Sequence, residues 1–306
     1  MESLRRVVIA GHVCIDENIT ATATVRAIGS PAAFMAPVLE ANGVEVRVAA
    51  PHGRDFGALE AQDAATRPLA MLEPARGDHT LVFVNDVRGE RRRQSVRRIG
   101  SARLAHPDEA VRRALGVADA LLFAPLLADP PVSVVADYVC AVPVGALRMV
   151  LLQGYLRQAG EVPDARGDLP VRSWVFAEVP ELMALFDVAV LSDEDVPDVD
   201  RLVDGWAAAH PGVAIVVTRG PRGASVHRGR FRQDVPAYAV GPIAPEALIG
   251  AGDVFAAELA LALLEEAGEG RPRGADGEAG RGLDPNLLTE AVARANRATA
   301  LRLVSH

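Results

Sequence analysis

The chain contains no lysine. All 32 of its basic residues are arginine, set against 40 acidic ones over 306 residues. That absence excludes three kinds of site, because a Walker A loop, a protein-kinase strand lysine and a Schiff-base enzyme all need the amine. Cysteine is nearly missing too. Cys14 and Cys140 form no metal-ligand spacing, and two cysteines in a chain this long point to a reducing compartment, the cytoplasm. Aromatic residues make up only 4%, which leaves few stacking faces for a nucleobase. Long apolar runs are lacking: Asp, Arg or Pro interrupts each one well before the ~20 residues of a membrane span. Neither a membrane segment nor a signal peptide is therefore expected. A net charge of −8 argues against nucleic acid as a partner, since its phosphates would be repelled. The Arg-rich stretch Arg88 to Arg98 reads as a solvated face.

Half of the residues are hydrophobic, enough for a large core, and residues 1–306 are read as a single domain. Apolar strand-like runs occur at Arg6–Ala10, Val44–Ala49, Ala120–Ala124, Met149–Leu152, Val188–Leu191 and Ala214–Thr218. Helical patterns fall between them, among them Ala32–Asn42, Asp108–Leu115, Leu202–Ala209 and Leu287–Leu303. This alternation predicts a mostly parallel sheet with helices on both faces. Ligands of such sheets sit at the carboxyl ends of the strands, and Asp16, the Gly29 turn, Gln153, Ser192 and Thr218 all follow strand ends. Two segments, 15–27 and 80–97, alternate apolar with polar residues like half-exposed strands. They would form either an extension of the main sheet or a small separate one. Gly268 to Gly282 is rich in glycine and charge, and a mobile surface loop is expected there.

The clearest chemical signal lies at residues 246–253, Glu-Ala-Leu-Ile-Gly-Ala-Gly-Asp, and in the apolar run behind them. Gly250 and Gly252 permit a tight turn, and Val254 to Glu266 has the composition of a helix. A glycine turn at a helix start leaves backbone N–H groups aimed at one spot, which the helix dipole makes attractive to phosphate. Asp253 would reach a hydroxyl lying against that phosphate. An acidic residue merely stabilising the helix start accounts for the same letters.

Gly-Ala-Gly-Asp before an Ala-rich helix, late in a chain of this size, resembles the PfkB family of carbohydrate and nucleoside kinases. Further motifs resemble it in the same order: Val7 to His12 leading to Asp16, Gly29-Ser30-Pro31 opening a helix, Gly43 to Asp55 with its Gly-x-Asp turn, and Thr218-Arg-Gly-Pro-Arg-Gly223. The resemblance implies a ribokinase-like three-layer α/β sandwich with a central, mostly parallel sheet and a small β-sheet lid. It also implies ATP-dependent phosphoryl transfer to a hydroxyl of a small molecule, with Mg2+ bridging the phosphates. Asp253 would be the general base, and Gly250, Ala251 and Gly252 the anion hole. Asp16, Gly29 and Ser30 would bind substrate, though Asp16 could instead cap a turn. Gln153 or Arg157 would reach substrate or phosphate, or form a surface turn. Ser192, Thr218, Gly220 and Gly223 would line the nucleotide. Asp195 would hold metal-bound water or serve a helix dipole, and Arg91 and Gln94 fall where lid residues touch substrate.

The sequence also departs from the family. Ala247, Leu248 and Ile249 replace the usual Asp-Thr-x, which puts the monovalent-cation site in doubt; Ser30 replaces a glycine, and Glu258 a small residue. Few aromatics lie near the proposed pocket, Phe34, Phe83 and Tyr155, which favours a sugar or polyol acceptor over a nucleoside. A catalytically silent binding protein on the same fold is the remaining alternative. A homodimer through the lid strands is plausible, because exposed edges seek partners.

Overall fold

The computed structural model describes residues 4–62, 67–88, 93–128, 130–243, 245–268 and 283–304. β1 (Arg6–Gly11) hands the chain directly to β2 (Cys14–Ile19) and β3 (Thr24–Gly29). α1 (Pro31–Ala41), β4 (Glu45–Ala49) and α2 (Arg54–Glu60) follow, then the hairpin β5 (Val82–Asp86) and β6 (Arg93–Arg97). α3 (Glu109–Leu115), β7 (Ala120–Ala124), α4 (Val132–Ala141) and β8 (Leu147–Leu151) alternate next, before two short strands, β9 (Arg157–Ala159) and β10 (Leu169–Ser173). α5 (Val179–Met183), β11 (Val188–Ser192), α6 (Val199–Ala209) and β12 (Ala214–Thr218) resume the alternation. The hairpin β13 (Ala224–Arg228) and β14 (Phe231–Val235) precedes α7 (Ala251–Gly268) and α8 (Pro285–Leu303).

Two sheets emerge from this order. The larger runs β14-β13-β12-β11-β8-β7-β1-β4, parallel except for the hairpin at one edge. Its central strands, such as β7 and β11, are buried on both faces because both are covered. Val7 and Ile9 enter one core with α1, α7 and α8, while Val8 and Ala10 enter the other with α3, α4, α5 and α6. Leu121 and Leu122 on β7 are fully buried, and each such side chain stabilises the fold by roughly 1.5–3 kcal/mol. The sequence patterns for these strands and helices fall within a residue or three of the observed ends. Among the described residues no helix is long and apolar enough to cross a membrane.

The smaller sheet runs β3-β2-β5-β6-β10-β9. It holds the strands of both half-exposed segments, and it is separate from the main sheet rather than an extension of its edge. β9 and β10 join it without a counterpart in the sequence patterns. Its loop connection is fixed by Asp55, whose Oδ1 accepts from the Thr80 N–H (2.8 Å) and hydroxyl (2.6 Å) while Oδ2 accepts from Arg98 (3.0 Å). The expected surface loop from Gly268 onward lies outside the described residues beyond Gly268 itself, as does Arg91.

Ser30 joins β3 to α1 with φ 111° and ψ 154°, a region that only glycine occupies without strain. Its Oγ accepts from the Ala33 N–H at 3.4 Å. Strain of this kind costs ~1–3 kcal/mol, whereas exchanging a serine cap for glycine costs a few tenths. Ser30→Gly is therefore expected to raise the unfolding free energy by about 1 kcal/mol in urea titration; an unchanged midpoint would show that the backbone carries no such strain.

Candidate functional site

α7 starts at Ala251, three residues before the expected Val254; Asp253 lies in its first turn as expected, and Gly252 joins it there rather than in the preceding turn. Of the two glycines only Gly250 takes a left-handed backbone, φ +76°; the tight turn expected at Gly252 is helix instead. A Cβ on Gly250 would lie 2.3 Å from Cδ1 of the Phe34 ring of α1, so the turn sits directly on that helix. The Gly250 carbonyl accepts the first helical bond, from the Val254 N–H at 2.9 Å. The N–H groups of Ala251, Gly252 and Asp253 consequently have no partner within the helix. Gly252 is exposed, and a Cβ there would meet nothing within 4 Å. Open amides at the positive end of an 18-residue helix form a place for an anion.

Beside those amides the charges converge. Burial pushes the Asp253 carboxyl up to about 7; Arg157 opposes that rise, and the carboxylates of Asp16 and Asp195 add to it. The same groups act on Cys14, whose thiol burial and Asp16 push well up, and which contacts Asp16 Oδ1 at 3.7 Å. Gly29 makes room for this carboxylate, because a Cβ there would lie 2.5 Å from Asp16 Cγ. Arg157 is 8% exposed. Its guanidinium lies 5.6 Å from the Phe83 ring centre, and its Nε donates to the Gln153 carbonyl at 3.2 Å. Gln153 thus places Arg157 through its backbone, within the 3-10 turn Leu152–Leu156. Tyr155, expected near the pocket, is a buried anchor whose hydroxyl donates to the Pro130 carbonyl.

The carboxyl ends of β11 and β12 lie side by side, with Ser192 paired to Thr218. Asp195 Oδ2 accepts from the Ser192 N–H at 2.8 Å, and the Ser173 hydroxyl donates to the Asp195 carbonyl at 2.5 Å. Burial raises the Asp195 carboxyl above its ordinary range. Thr218 Oγ1 donates to the Leu191 carbonyl at 3.3 Å. The turn beyond it needs both of its glycines: Gly220 has φ +53°, and Gly223 has φ +96° with the Val235 carbonyl where a Cβ would be. It is closed by the Arg219 N–H donating to the Gly223 carbonyl at 2.7 Å.

A polar strip lies on the small sheet. Register places Asp16 opposite Phe83, Asn18 opposite Asn85, and Asn85 opposite Gln94, so these side chains share one face. Gln94 Nε2 donates to Asn85 Oδ1 at 2.9 Å, and Asn85 Nδ2 to Asn18 Oδ1 at 3.0 Å. Arg157, opposite Ser173, joins the same face through Val171 and Leu169. Asn18 and Asn85 were not singled out from sequence, although asparagine is depleted in strands and two in register are a detectable signal. His12, at the end of β1, is buried and driven down to about 4 by that burial; its Nδ1 accepts from the Leu126 N–H at 2.9 Å, a structural role. Among the described residues no group of three His, Cys, Asp or Glu converges as a metal site.

No family model matches the chain. A cytidine kinase of Thermococcus kodakarensis is 42% identical over 66 residues, which is 21% of this chain and 21% of that protein. Solved structures align over nearly the whole length. A ribokinase of Arabidopsis thaliana complexed with ribose and ATP has a TM-score of 0.68 at 15% identity, covering 99% of this chain and 93% of that one. A pyrophosphate-dependent kinase in the ribokinase family, complexed with a pyrophosphate analogue and myo-inositol, has a TM-score of 0.66 at 15% identity, covering 97% and 95%. The adenosine kinase of Sinorhizobium meliloti has a TM-score of 0.66 at 15% identity, covering 99% and 94%. At these identities the likeness establishes architecture: the chain has the ribokinase fold, as its motifs suggested.

The raised Asp253 carboxyl has a consequence for stability. Between pH ~4 and ~7 the folded state keeps a proton that the unfolded chain has released, so folding loses free energy as pH rises through that window. Asp253→Asn removes the penalty. Its Tm is expected to exceed that of the parent by several degrees at pH 8 and to approach it at pH 4.5; a difference independent of pH would contradict the assignment.

Proposed function

We propose that the chain is an ATP-dependent small-molecule kinase that transfers the γ-phosphoryl group to a hydroxyl of a sugar or polyol. The observation that carries this reading is the pairing of open amides at the start of α7 with Asp253, a carboxyl held near neutrality in their first turn. Asp253 accepts the proton of the acceptor hydroxyl as its oxygen bonds to the γ-phosphorus, and the bond to the β-bridging oxygen breaks to release ADP. The amides of Ala251 and Gly252, with Gly250 setting their direction, hold the transferring phosphoryl oxygens. A base with a pKa near the working pH suits this role.

Acceptor hydroxyls would meet Asp16, with Gly29 and Ser30 beneath it. The amides of Asn18, Asn85 and Gln94 continue the polar face along the small sheet, which serves as a lid that keeps water from competing. Arg157 would balance the carboxylates and meet phosphate. On the donor side, Ser192, Thr218, Gly220 and Gly223 frame the nucleotide. Asp195 offers one carboxylate oxygen beyond its bond to Ser192, which fits a magnesium ion that arrives on the donor phosphates and keeps its waters. Such an ion neutralises charge on the phosphates. Ala247, Leu248 and Ile249 bring no side-chain oxygen for a monovalent cation. β3 is an exposed sheet edge, through which a homodimer would form. The short match to a cytidine kinase favours a second reading, a nucleoside acceptor at the same Asp16 face.

The test is magnesium-dependent ADP release over a panel of sugars, polyols and nucleosides, with pyrophosphate run as an alternative donor. One acceptor should give turnover that Asp253→Asn lowers by ~10²–10⁴-fold, with the parent's kcat rising as pH passes through about 7. ATP binding without turnover of any acceptor would instead support a silent binding protein. Asp16→Asn should raise the acceptor KM by about tenfold or more while leaving the ATP KM in place.

A further inference from the structure

β13 carries an unusual alternation. Its residues Ala224 and Val226 enter the core shared with α7 and α8. Ser225 and His227 point the other way, opposite Val217 and Ile215 and toward α6, and are 0% and 1% exposed. Polar side chains so deep in apolar packing are tolerated only when bonded. These are bonded in a continuous chain. Arg219 donates to Ser225 Oγ through Nε at 3.1 Å and NH2 at 2.8 Å. Ser225 Oγ lies 3.0 Å from His227 Nε2, and His227 Nδ1 lies 3.3 Å from Asp204 Oδ1.

The proton positions follow from counting donors. Two N–H groups of Arg219 occupy both lone pairs of the Ser225 oxygen, so its only proton must point to His227. Nε2 is then an acceptor, the imidazole is neutral, and its proton rides on Nδ1 toward Asp204. Three polar residues in this order resemble a hydrolytic triad, but a hydroxyl with no exposed surface cannot meet a substrate. What the chain holds is Arg219, the second residue of the turn 218–223. Its guanidinium is also bonded to Asp200 at 2.6 Å and 3.5 Å, so these bonds anchor the turn through Arg219.

We propose that Ser225 and His227 are positioning residues for the 218–223 turn, fixing Arg219 so that the turn keeps its shape against the phosphoryl donor. This rests on the kinase reading, which places the donor at that turn. Protonation of His227 would disrupt the arrangement, because Nε2–H would face an oxygen already accepting twice. The charges facing the imidazole are Asp200 and Asp204 from α6, Arg219 from the turn and Arg232 from β14. Burial first, and then Arg232, hold His227 below its ordinary value against the pull of Asp204. The neutral relay is intact at pH 7 and is lost only as pH falls below the ordinary histidine range.

The test compares the parent, Ser225→Ala and His227→Gln for ATP and acceptor KM between pH 5 and 8, with unfolding temperatures as a check on folding. Ser225→Ala should raise the ATP KM about tenfold, the worth of a hydrogen bond to a charged group, with kcat and acceptor KM kept within about twofold. Where acidification raises the parent's ATP KM, His227→Gln, which keeps an acceptor and cannot titrate, should not show that rise. In parallel, the ¹⁵N shifts of His227 at pH 7 should mark Nδ1 as the protonated nitrogen. The opposite tautomer, or equal changes in kcat and both KM values, would overturn the relay. If no acceptor is turned over, the ATP Kd decides: weakening in Ser225→Ala supports the relay without kinase activity, and an unchanged Kd overturns it. Failure of the parent to bind ATP at all would overturn the donor reading of the turn, and the relay's role with it.

Discussion

Three carboxylates cannot share a crevice unless something offsets their repulsion, and in this protein that something is Arg157. Asp16 comes from the small sheet, Asp195 from the loop after β11, and Asp253 from α7, yet each is coupled to the same guanidinium or to a neighbour of it. Arg157 occupies a joint in the fold. The chain leaves β8 of the large sheet, makes one 3-10 turn and enters β9 of the small sheet at this residue. Phe83 lies under the guanidinium and the Gln153 carbonyl holds its Nε. The charge balance and the meeting of the two sheets are thus the same structural event. Burial raises the Asp253 carboxyl to about 7 against the pull of Arg157, and the Asp16 and Asp195 carboxylates add to that rise.

Departures from the resembled family acquire physical meaning in the same way. Glu258 is nearly buried and would be untenable alone, but Arg302 of α8 donates to it at 2.5 Å. The small residue usual there is replaced by an ion pair that ties α7 to α8. Leu248 and Ile249 have no such compensation; both are about half exposed just before Gly250. Ser30 holds a backbone region that suits glycine and adds a hydroxyl that caps α1.

Much of this was legible in the sequence, for physical reasons that also mark where legibility ends. Central strands such as Ala120–Ala124 and Val188–Leu191 of β11 are apolar throughout because both faces are covered, and that run is visible without coordinates. The Gly-Ala-Gly-Asp signal located the start of α7. The first helical residue was set too late because Gly252 was read as a breaker, whereas a first-turn glycine can remain helical. β9 and β10 left no trace: strands of three and five residues containing Arg, Gln and Pro are held by their neighbours' edges, not by propensity. Ser225 and His227 alternate with apolar residues like a solvent-facing strand, and only α6 lying over them makes them interior. Tyr155 looked like a pocket aromatic because sequence cannot say where a hydroxyl finds its acceptor.

The contact between Gly250 and Phe34 has an evolutionary corollary. α1, which begins beside Gly29 and the Asp16 carboxylate, bears directly on the turn that launches α7. The start of α1 and the turn before α7 are therefore packed together, and a mutation that reshaped one would disturb the other. The small sheet carries its amides on side chains whose backbone is already satisfied by strand pairing. On the proposed kinase reading, lineages diverging toward new acceptors would accumulate their substitutions at Asn18, Asn85 and Gln94, and a library built for retargeting would find its tolerant positions there.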